Sequence, residues 1–402
     1  MKAVWVTTSV PHPAGGGGRS HEYELIRELA DEHDIHVVSC DFGNPERGEA
    51  VRAAGARFTS VQWAGRAYPT SKLGVARGLV RADPTLAIWL ARDRIPHMAR
   101  AIAGIVAAEH PDVIQVTHGE LAHLLDHLAP PTALLLFDAL TRALDTRRLV
   151  EPLPRRRLQL RVEHARATRF ERTQYAKATG IACVSSVDAA AVEALVHRRV
   201  TVLENPIGAS FFAPPDRARS SNIVSFIGAL AHQPNGDAIR RLVIDIWPHV
   251  VARRPDAELC VVGRADGDPT VPELRRLVEQ VGGRLEADVP DIRPYYWEAA
   301  VTIAPLRHGS GLRNKVIHAM ACGAPVVASP SAIEGIPTDI ATHVWTATTD
   351  EELAAAVVAV LDDRASAHAR ADAAIESLAP LRTEHAAARH AAWWEDVRCE
   401  RE

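Results

Sequence analysis

The sequence predicts an α/β protein built from two doubly wound, Rossmann-like domains in tandem. Three observations carry that reading. Short β-branched runs alternate with longer stretches of helical periodicity in both halves of the chain; the first run leads through a glycine-rich loop straight into a helical pattern; and a stretch rich in Pro, Gly and Ser interrupts the alternation near its middle. At about 150 residues per domain, 402 residues are enough for two to three domains.

The elements follow in order. Lys2 to Thr8 is a strand that ends in Pro11, Pro13 and the run Gly15 to Gly18, after which Tyr23, Ile26, Leu29 and Ala30 mark one face of a helix. Runs at 35–39, 113–117, 133–137 and 181–184 supply further strands, apolar throughout as a parallel sheet covered on both faces requires. The pattern places a first domain at 1–205, a linker at 206–221 and a second domain at 222–383, with strands at 223–227, 258–262, 301–304 and 325–328. Helices are expected near 236–253, 270–282 and 312–322, and a final helix over 384–402, carrying Trp393 and Trp394, is expected to return to the first domain. No internal period recurs, which excludes a solenoid or propeller. Ligands of open parallel sheets bind beyond the carboxyl ends of the strands, so the expected site is a cleft between two facing domains.

Composition narrows the function classes. Forty-six Lys and Arg against 50 Asp and Glu give a net charge of -4, and 47% hydrophobic with 24% charged residues is the balance of an ordinary globular protein. Disorder and a dedicated nucleic-acid binder are disfavoured, and no apolar run is long enough for a spanning helix. Five scattered cysteines without a CxxC pair fit a reducing compartment, so a cytoplasmic location is expected.

Several segments carry chemistry. In Gly15-Gly16-Gly17-Gly18-Arg19 the glycines let backbone amides approach an anion at a helix N-terminus, although the run is not G-x-G-x-x-G and only Asp41 is near the place of a ribose-binding acid. The segment from Ala304 to Ser329 reads as strand, glycine loop, helix, Gly323 stop and strand, with Arg313 and Lys315 in the first turn of the helix. Cations are disfavoured there unless an anion neutralises them, which points to a bound phosphate. His118 and Asp138 fall at the carboxyl ends of two strands of the first domain, where an acceptor would approach; Arg19 is a further acceptor-side candidate. Asp266-Gly267-Asp268 has the form of a metal-nucleotide motif but the context of a turn, and no metal site is assigned. The run from Arg155 to Arg172, with Arg156, Arg157, Arg161, Arg166 and Arg169, reads as a solvated helix face or as a contact for an anionic membrane or an acidic carrier protein.

The segment His308-Gly309-Ser310-Gly311-Leu312-Arg313-Asn314-Lys315, followed by His318-Ala319-Met320-Ala321-Cys322-Gly323-Ala324-Pro325-Val326-Val327, resembles the donor-binding segment of retaining glycosyltransferases of family 4, of GT-B fold. It is most similar to the subgroup with a G-S-G-x-R-x-K loop. Phe226-Ile227-Gly228, with Pro234 and Asn235, resembles that subgroup's F-x-G-x-x-x-x-P-N turn. Leu259 to Arg264, Val289-Pro290-Asp291 with Tyr295, Val184 to Asp188, and Glu204 to Phe211 are similar to further elements in the same order. The resemblance implies donor contacts at Gly17, Gly18, Gly228, Arg264, Val289, His308, Gly309, Ser310, Gly311 and His318, and catalytic roles for Arg313, Lys315 and His118. It departs from the family at three positions: Ser310 and His318 replace a pair of glutamates that contact donor sugar and ribose, and Ala229 stands where an arginine is common.

The function implied is transfer of a hexose-type sugar from a nucleoside diphosphate donor to an unidentified acceptor, with retention at the anomeric carbon, no metal and no cofactor beyond the donor substrate. The rivals are a catalytically degenerate homologue that serves as a binding or partner subunit, and a sugar-nucleotide epimerase on the same fold. A peripheral position at the inner face of a membrane is the alternative to a free cytoplasmic one.

Overall fold

A computed structural model of the chain describes residues 1–13, 17–40, 45–62, 83–85, 88, 91–129, 131–213 and 222–400, those at 45–47 by backbone alone. Gly15, Gly16, Asp41 and the second half of the expected linker, 214–221, lie outside the described residues. The chain divides into two compact units, Met1–Pro206 with Glu384–Glu402, and Ile207–Thr383.

The first unit runs β1 (Lys2–Thr7), α1 (Gly18–Leu29), β2 (Asp34–Ser39), α2 (Pro45–Ala53), β3 (Arg57–Ser60), α3 (Ile95–Glu109), β4 (Val113–Thr117), β5 (Thr132–Leu136), α4 (Leu140–Val150), α5 (Pro154–Gln174), β6 (Gly180–Cys183), α6 (Ser186–Val196) and β7 (Thr201–Val202). The strands form one sheet in the order β3-β2-β1-β4-β5-β6-β7, parallel at every pairing. Every residue of β4, β5 and β6 is buried, as helices on both faces demand. β1 and β4 are neighbours where the winding reverses, the switch point at which two loops part and leave a crevice.

The second unit runs β8 (Ile223–Ile227), α7 (Gln233–Arg241), α8 (Trp247–Val251), β9 (Glu258–Gly263), α9 (Val271–Gln280), β10 (Arg284–Ala287), α10 (Arg293–Glu298), β11 (Val301–Ala304), α11 (Asn314–Ala321), β12 (Val326–Ala328), β13 (Trp345–Thr346), α12 (Asp350–Asp362) and α13 (Arg364–Ser377). Its parallel sheet has the order β10-β9-β8-β11-β12-β13, so β8 and β11 form the equivalent switch point. The helix expected at 236–253 begins at Gln233, with Pro234 in its first turn, and passes through a π-helical turn, Leu242–Ile246, between α7 and α8. Arg241, buried, ties that turn to the exit of β11: its guanidinium donates to Asp350 Oδ1 at 2.6 Å, to Pro305 O at 3.1 Å and to Thr348 O at 3.2 Å.

The last helix, α14 (Thr383–Cys399), packs on the first unit. Trp394 is fully buried against Trp5 of β1, and its Nε1 and His390 Nε2 both reach Gln115 Oε1 at 2.7 Å. A buried amide on β4 would be costly alone; two aromatic nitrogens satisfy it and fix the helix to the sheet. No described helix is long and apolar enough to cross a membrane.

Candidate functional site

In the second unit the site grows from the β8–β11 switch point. Gly228 follows β8, and its amide donates to Val262 O at 2.9 Å, while Leu230 N donates to Arg264 O at 2.7 Å. This pairing brings the two chains so close that a Cβ at Gly263 would lie 1.8 Å from Gly228 O, and only glycine fits. Lys315 reaches over the resulting turn: a Cβ at Gly228 would meet Lys315 Cε at 3.1 Å and Asn235 Nδ2 at 3.0 Å. Asn235 Nδ2 donates to Ala229 O at 2.7 Å, which turns its Oδ1 to accept from the Lys315 ammonium. The same ammonium stands 5.1 Å above the Phe226 ring.

Lys315 is therefore desolvated, and burial together with the Arg313 guanidinium pushes its pKa down to about 7. His232 at the head of α7 is pushed down to about 4, first by burial and then by Lys315, Arg313 and His308. An excess of positive charge gathers at one strand edge. An anion such as a diphosphate would relieve it, and the amides at the start of α11 point the same way.

The loop between β11 and α11 has its own construction. Gly309 and Gly311 have φ of 146° and 72°, conformations that side chains oppose. Arg313 is the N-cap of α11 rather than a first-turn residue, and its guanidinium folds back to donate to the carbonyls of Ser310 and Gly311, the latter at 2.5 Å. Arg313 thus braces the glycine loop as well as charging it. His308, buried, has Nε2 3.0 Å from Gln233 Oε1, which joins the loop to α7. His318, one turn after Lys315 on α11, stacks on Phe211 with ring centroids 4.1 Å apart.

The first unit carries a different constellation at its β1–β4 switch point. Glu22 of α1 is fully buried; its Oε1 accepts from Trp5 Nε1 and its Oε2 from Thr7 Oγ1, both at 3.0 Å. His118 follows β4 with φ 74°, and its Nε2 lies 3.5 Å from Glu22 Oε2. The imidazole stacks on Phe137 at 4.8 Å, and the start of α1 lies against both rings, 3.3 Å from His118 Cε1 by the position of a Cβ on Gly18. Burial pulls the His118 pKa down, but the hydrogen bond and charge of Glu22, with Glu120 and Asp138, outweigh it and raise it. Asp138 is exposed at the end of β5, and Gly17 and Arg19 stand at the head of α1.

The remaining expected residues lie beyond β9 and β10. Arg264 pairs with Asp266 at 2.8 Å; Asp268 accepts from Thr270 N at 2.8 Å and Oγ1 at 2.6 Å, so both acids of the D-x-D serve their turn. Val289 is half-buried just beyond β10. Glu22 was not foreseen from the sequence; Phe137 was expected only as the end of a strand, and His232, Gln233, Asn235 and Phe211 only as letters of motifs. For Glu22 a signal exists: an acid one turn into the helix after a glycine loop, facing the strand, has to be paired.

Residues 221–363 match the family described as glycosyl transferases group 1. Sucrose-phosphate synthase from Thermosynechococcus elongatus superposes with a TM-score of 0.73 at 17% identity, over 99% of this chain and 100% of that one. The fold is GT-B. HepE from Anabaena, in complex with UDP-glucose, gives a TM-score of 0.65 at 14% identity over 98% of this chain and 100% of that one. A UDP-forming trehalose-phosphate synthase from Burkholderia xenovorans gives 0.67 at 11% identity over 98% and 99%. No curated protein sequence matches the chain. The glycosyl transferases group 1 segment contains the β8–β11 site, Lys315 and its glycine loop included, except for Phe211.

Proposed function

We propose that the chain is a retaining hexosyltransferase of glycosyltransferase family 4, which moves a sugar from a nucleoside diphosphate to an acceptor hydroxyl or amine without a metal ion. The observation that carries the reading is the desolvated Lys315 ammonium at the head of α11, over Gly228 and beside the Gly309–Gly311 loop, inside the segment that matches glycosyl transferases group 1. A diphosphate bound there would meet Lys315, Arg313 and the α11 amides, and these would stabilise charge that develops on the leaving oxygen. In the proposed reaction the bond from the anomeric carbon to the diphosphate oxygen breaks as the acceptor attacks from the same face. The acceptor proton passes to the departing diphosphate, so no protein nucleophile is needed. His118, raised in pKa by Glu22 and Asp138, would donate a hydrogen bond to a sugar or acceptor oxygen.

UDP-glucose is the first donor to test, because the Anabaena neighbour is described with it. Nucleoside diphosphate release is to be followed over a panel of nucleoside diphosphate sugars, with and without EDTA. Release that survives the chelator is expected. Release lost with EDTA and restored by manganese would sink the metal-free mechanism, binding without release would favour a partner subunit, and interconversion of free sugar nucleotides an epimerase.

A further inference from the structure

We infer that the helical hairpin of α4 and α5 docks the protein on a lipid bilayer rich in anionic headgroups. Six large hydrophobic side chains are exposed among the described residues, and all but Ile244 belong to this hairpin: Leu149 (74%), Val150 (39%), Leu153 (59%), Leu158 (62%) and Val162 (45%). Leu149, Val150 and Leu153 sit at the tip, where α4 ends and the chain turns, and Leu158 and Val162 continue from it along the first turns of α5. Scattered singly they would need no account; gathered on one hairpin they do.

The outward face of α5 states what covers them. At about 100° per residue, Val162, Arg155, Arg161, Ala165, Arg169 and Arg172 lie within about 60° of Leu158, while the buried Leu160 and Ala167 lie on the opposite side. No acidic residue falls on the outward face. Glu171 is buried and caps α4 through the amides of Leu140 (2.7 Å) and Thr141 (3.3 Å); Asp145 of α4 is engaged by Arg148 at 3.0 Å and His164 at 3.2 Å. Glu151, in the turn, accepts from Leu153 N at 3.1 Å. The chain as a whole is charged -4, so this patch is basic against the trend of the molecule.

Apolar tips flanked by arginines match the layering of a bilayer surface. Leucine and valine enter the acyl boundary while the long arginine stems let the guanidiniums remain among phosphates. An acidic protein partner would use the arginines but would leave unexplained why the aliphatic chains crowd on one hairpin. α4 spans 11 residues, about 16 Å, so the tip stands one helix length from the β5 end that carries Asp138.

Flotation of the full chain with vesicles of phosphatidylcholine, with or without phosphatidylglycerol, tests this. Wild type is expected to float with the anionic vesicles far more than with the neutral ones, and less as salt rises. The exposed triple variant Leu153→Ser, Leu158→Ser, Val162→Ser should lose at least roughly tenfold in partition. The pair Arg155→Gln, Arg161→Gln should lose roughly tenfold at low salt. A Leu158→Trp reporter should shift its emission to the blue on anionic vesicles. Wild type that does not float overturns the inference. So does a serine variant that binds as well as wild type, the signature of charge adsorption alone and of an acidic protein as the partner. A bound Leu158→Trp protein with unshifted emission overturns it too.

Discussion

At the β1–β4 junction a buried carboxylate, Glu22, is encircled by donors from Trp5, Thr7 and His118; at the β8–β11 junction a desolvated ammonium, Lys315, leans on Asn235 Oδ1 and the Phe226 ring. Both junctions are switch points of parallel sheets wound the same way, so the backbone offers each the same crevice. The charges are opposite, and so is the sense in which the surroundings bend the titrations. Glu22 holds the His118 proton on, whereas Arg313 and burial loosen that of Lys315. One architecture thus makes a polar, proton-holding edge in one unit and an anion-seeking edge in the other, through Glu22, one turn inside α1, and Lys315, at the head of α11.

Removing the ammonium breaks the contrast most sharply. Lys315→Ala should cost about 2 to 4 kcal/mol of leaving-group stabilisation, roughly 30-fold to 1000-fold in rate, with weaker binding of nucleoside diphosphate. Rate assays and calorimetry on the folded variant check it; full activity would remove Lys315 from the mechanism.

The carboxylate comes next. Glu22→Gln keeps the shape but removes the charge, at an expected cost of about 1 to 3 kcal/mol in stability, read by denaturant unfolding. Because Glu22 raises the His118 pKa, its stabilising effect is present below the unfolded value near 6.5 and fades as pH rises through the folded value. The variant should therefore lose stability mainly on the acid side, and NMR titration should find the His118 pKa lowered. An unmoved His118 would end the claim that Glu22 holds its proton.

A proton count sharpens the comparison further. With the folded pKa of Lys315 near 7 and the unfolded value near 10.4, the unfolded chain binds more protons between those limits, so this residue makes stability rise with pH across that window. An anion at the site reverses the shift, so binding of nucleoside diphosphate at mildly alkaline pH should take up a fraction of a proton. The heat of binding should then depend on the ionisation enthalpy of the buffer in wild type and not in Lys315→Ala. Equal dependence in both proteins would assign the proton elsewhere.

The smallest effect is expected at His318. Its stacking on Phe211 holds the ring on the α11 face that carries Lys315. His318→Ala should weaken donor binding by about 1 to 2 kcal/mol, and His318→Glu should retain it. Titration of nucleoside diphosphate sugars into the three proteins checks both, and an alanine variant with unchanged affinity would separate this residue from ribose recognition.

What could be read directly from the chain is what burial on both faces writes into it. The central strands β1, β2, β4, β5, β6, β8, β9, β11 and β12 are apolar runs because helices cover them above and below, and each was legible. The strands not named in advance, β3, β7, β10 and β13, are the four sheet edges; they are short and partly exposed, so no apolar run is required of them. Glycine spacing and the position of Lys315 after its loop were local facts, readable because the turn and the helix start impose them within a few residues.

Only the folded chain decided the partners. Lys315 and Asn235 are 80 residues apart, Glu22 and Trp5 are 17 apart on different elements, and Trp394 reaches Gln115 across 279. No local pattern encodes such pairs, because a side chain's need for a partner is local while the identity of that partner is set by which strands become neighbours. Arg313 shows the limit within a single loop. Its charge was legible, but its turn back onto the carbonyls of Ser310 and Gly311 follows from the backbone path that Gly309 and Gly311 allow, and that path exists only once β11 and α11 are packed in place.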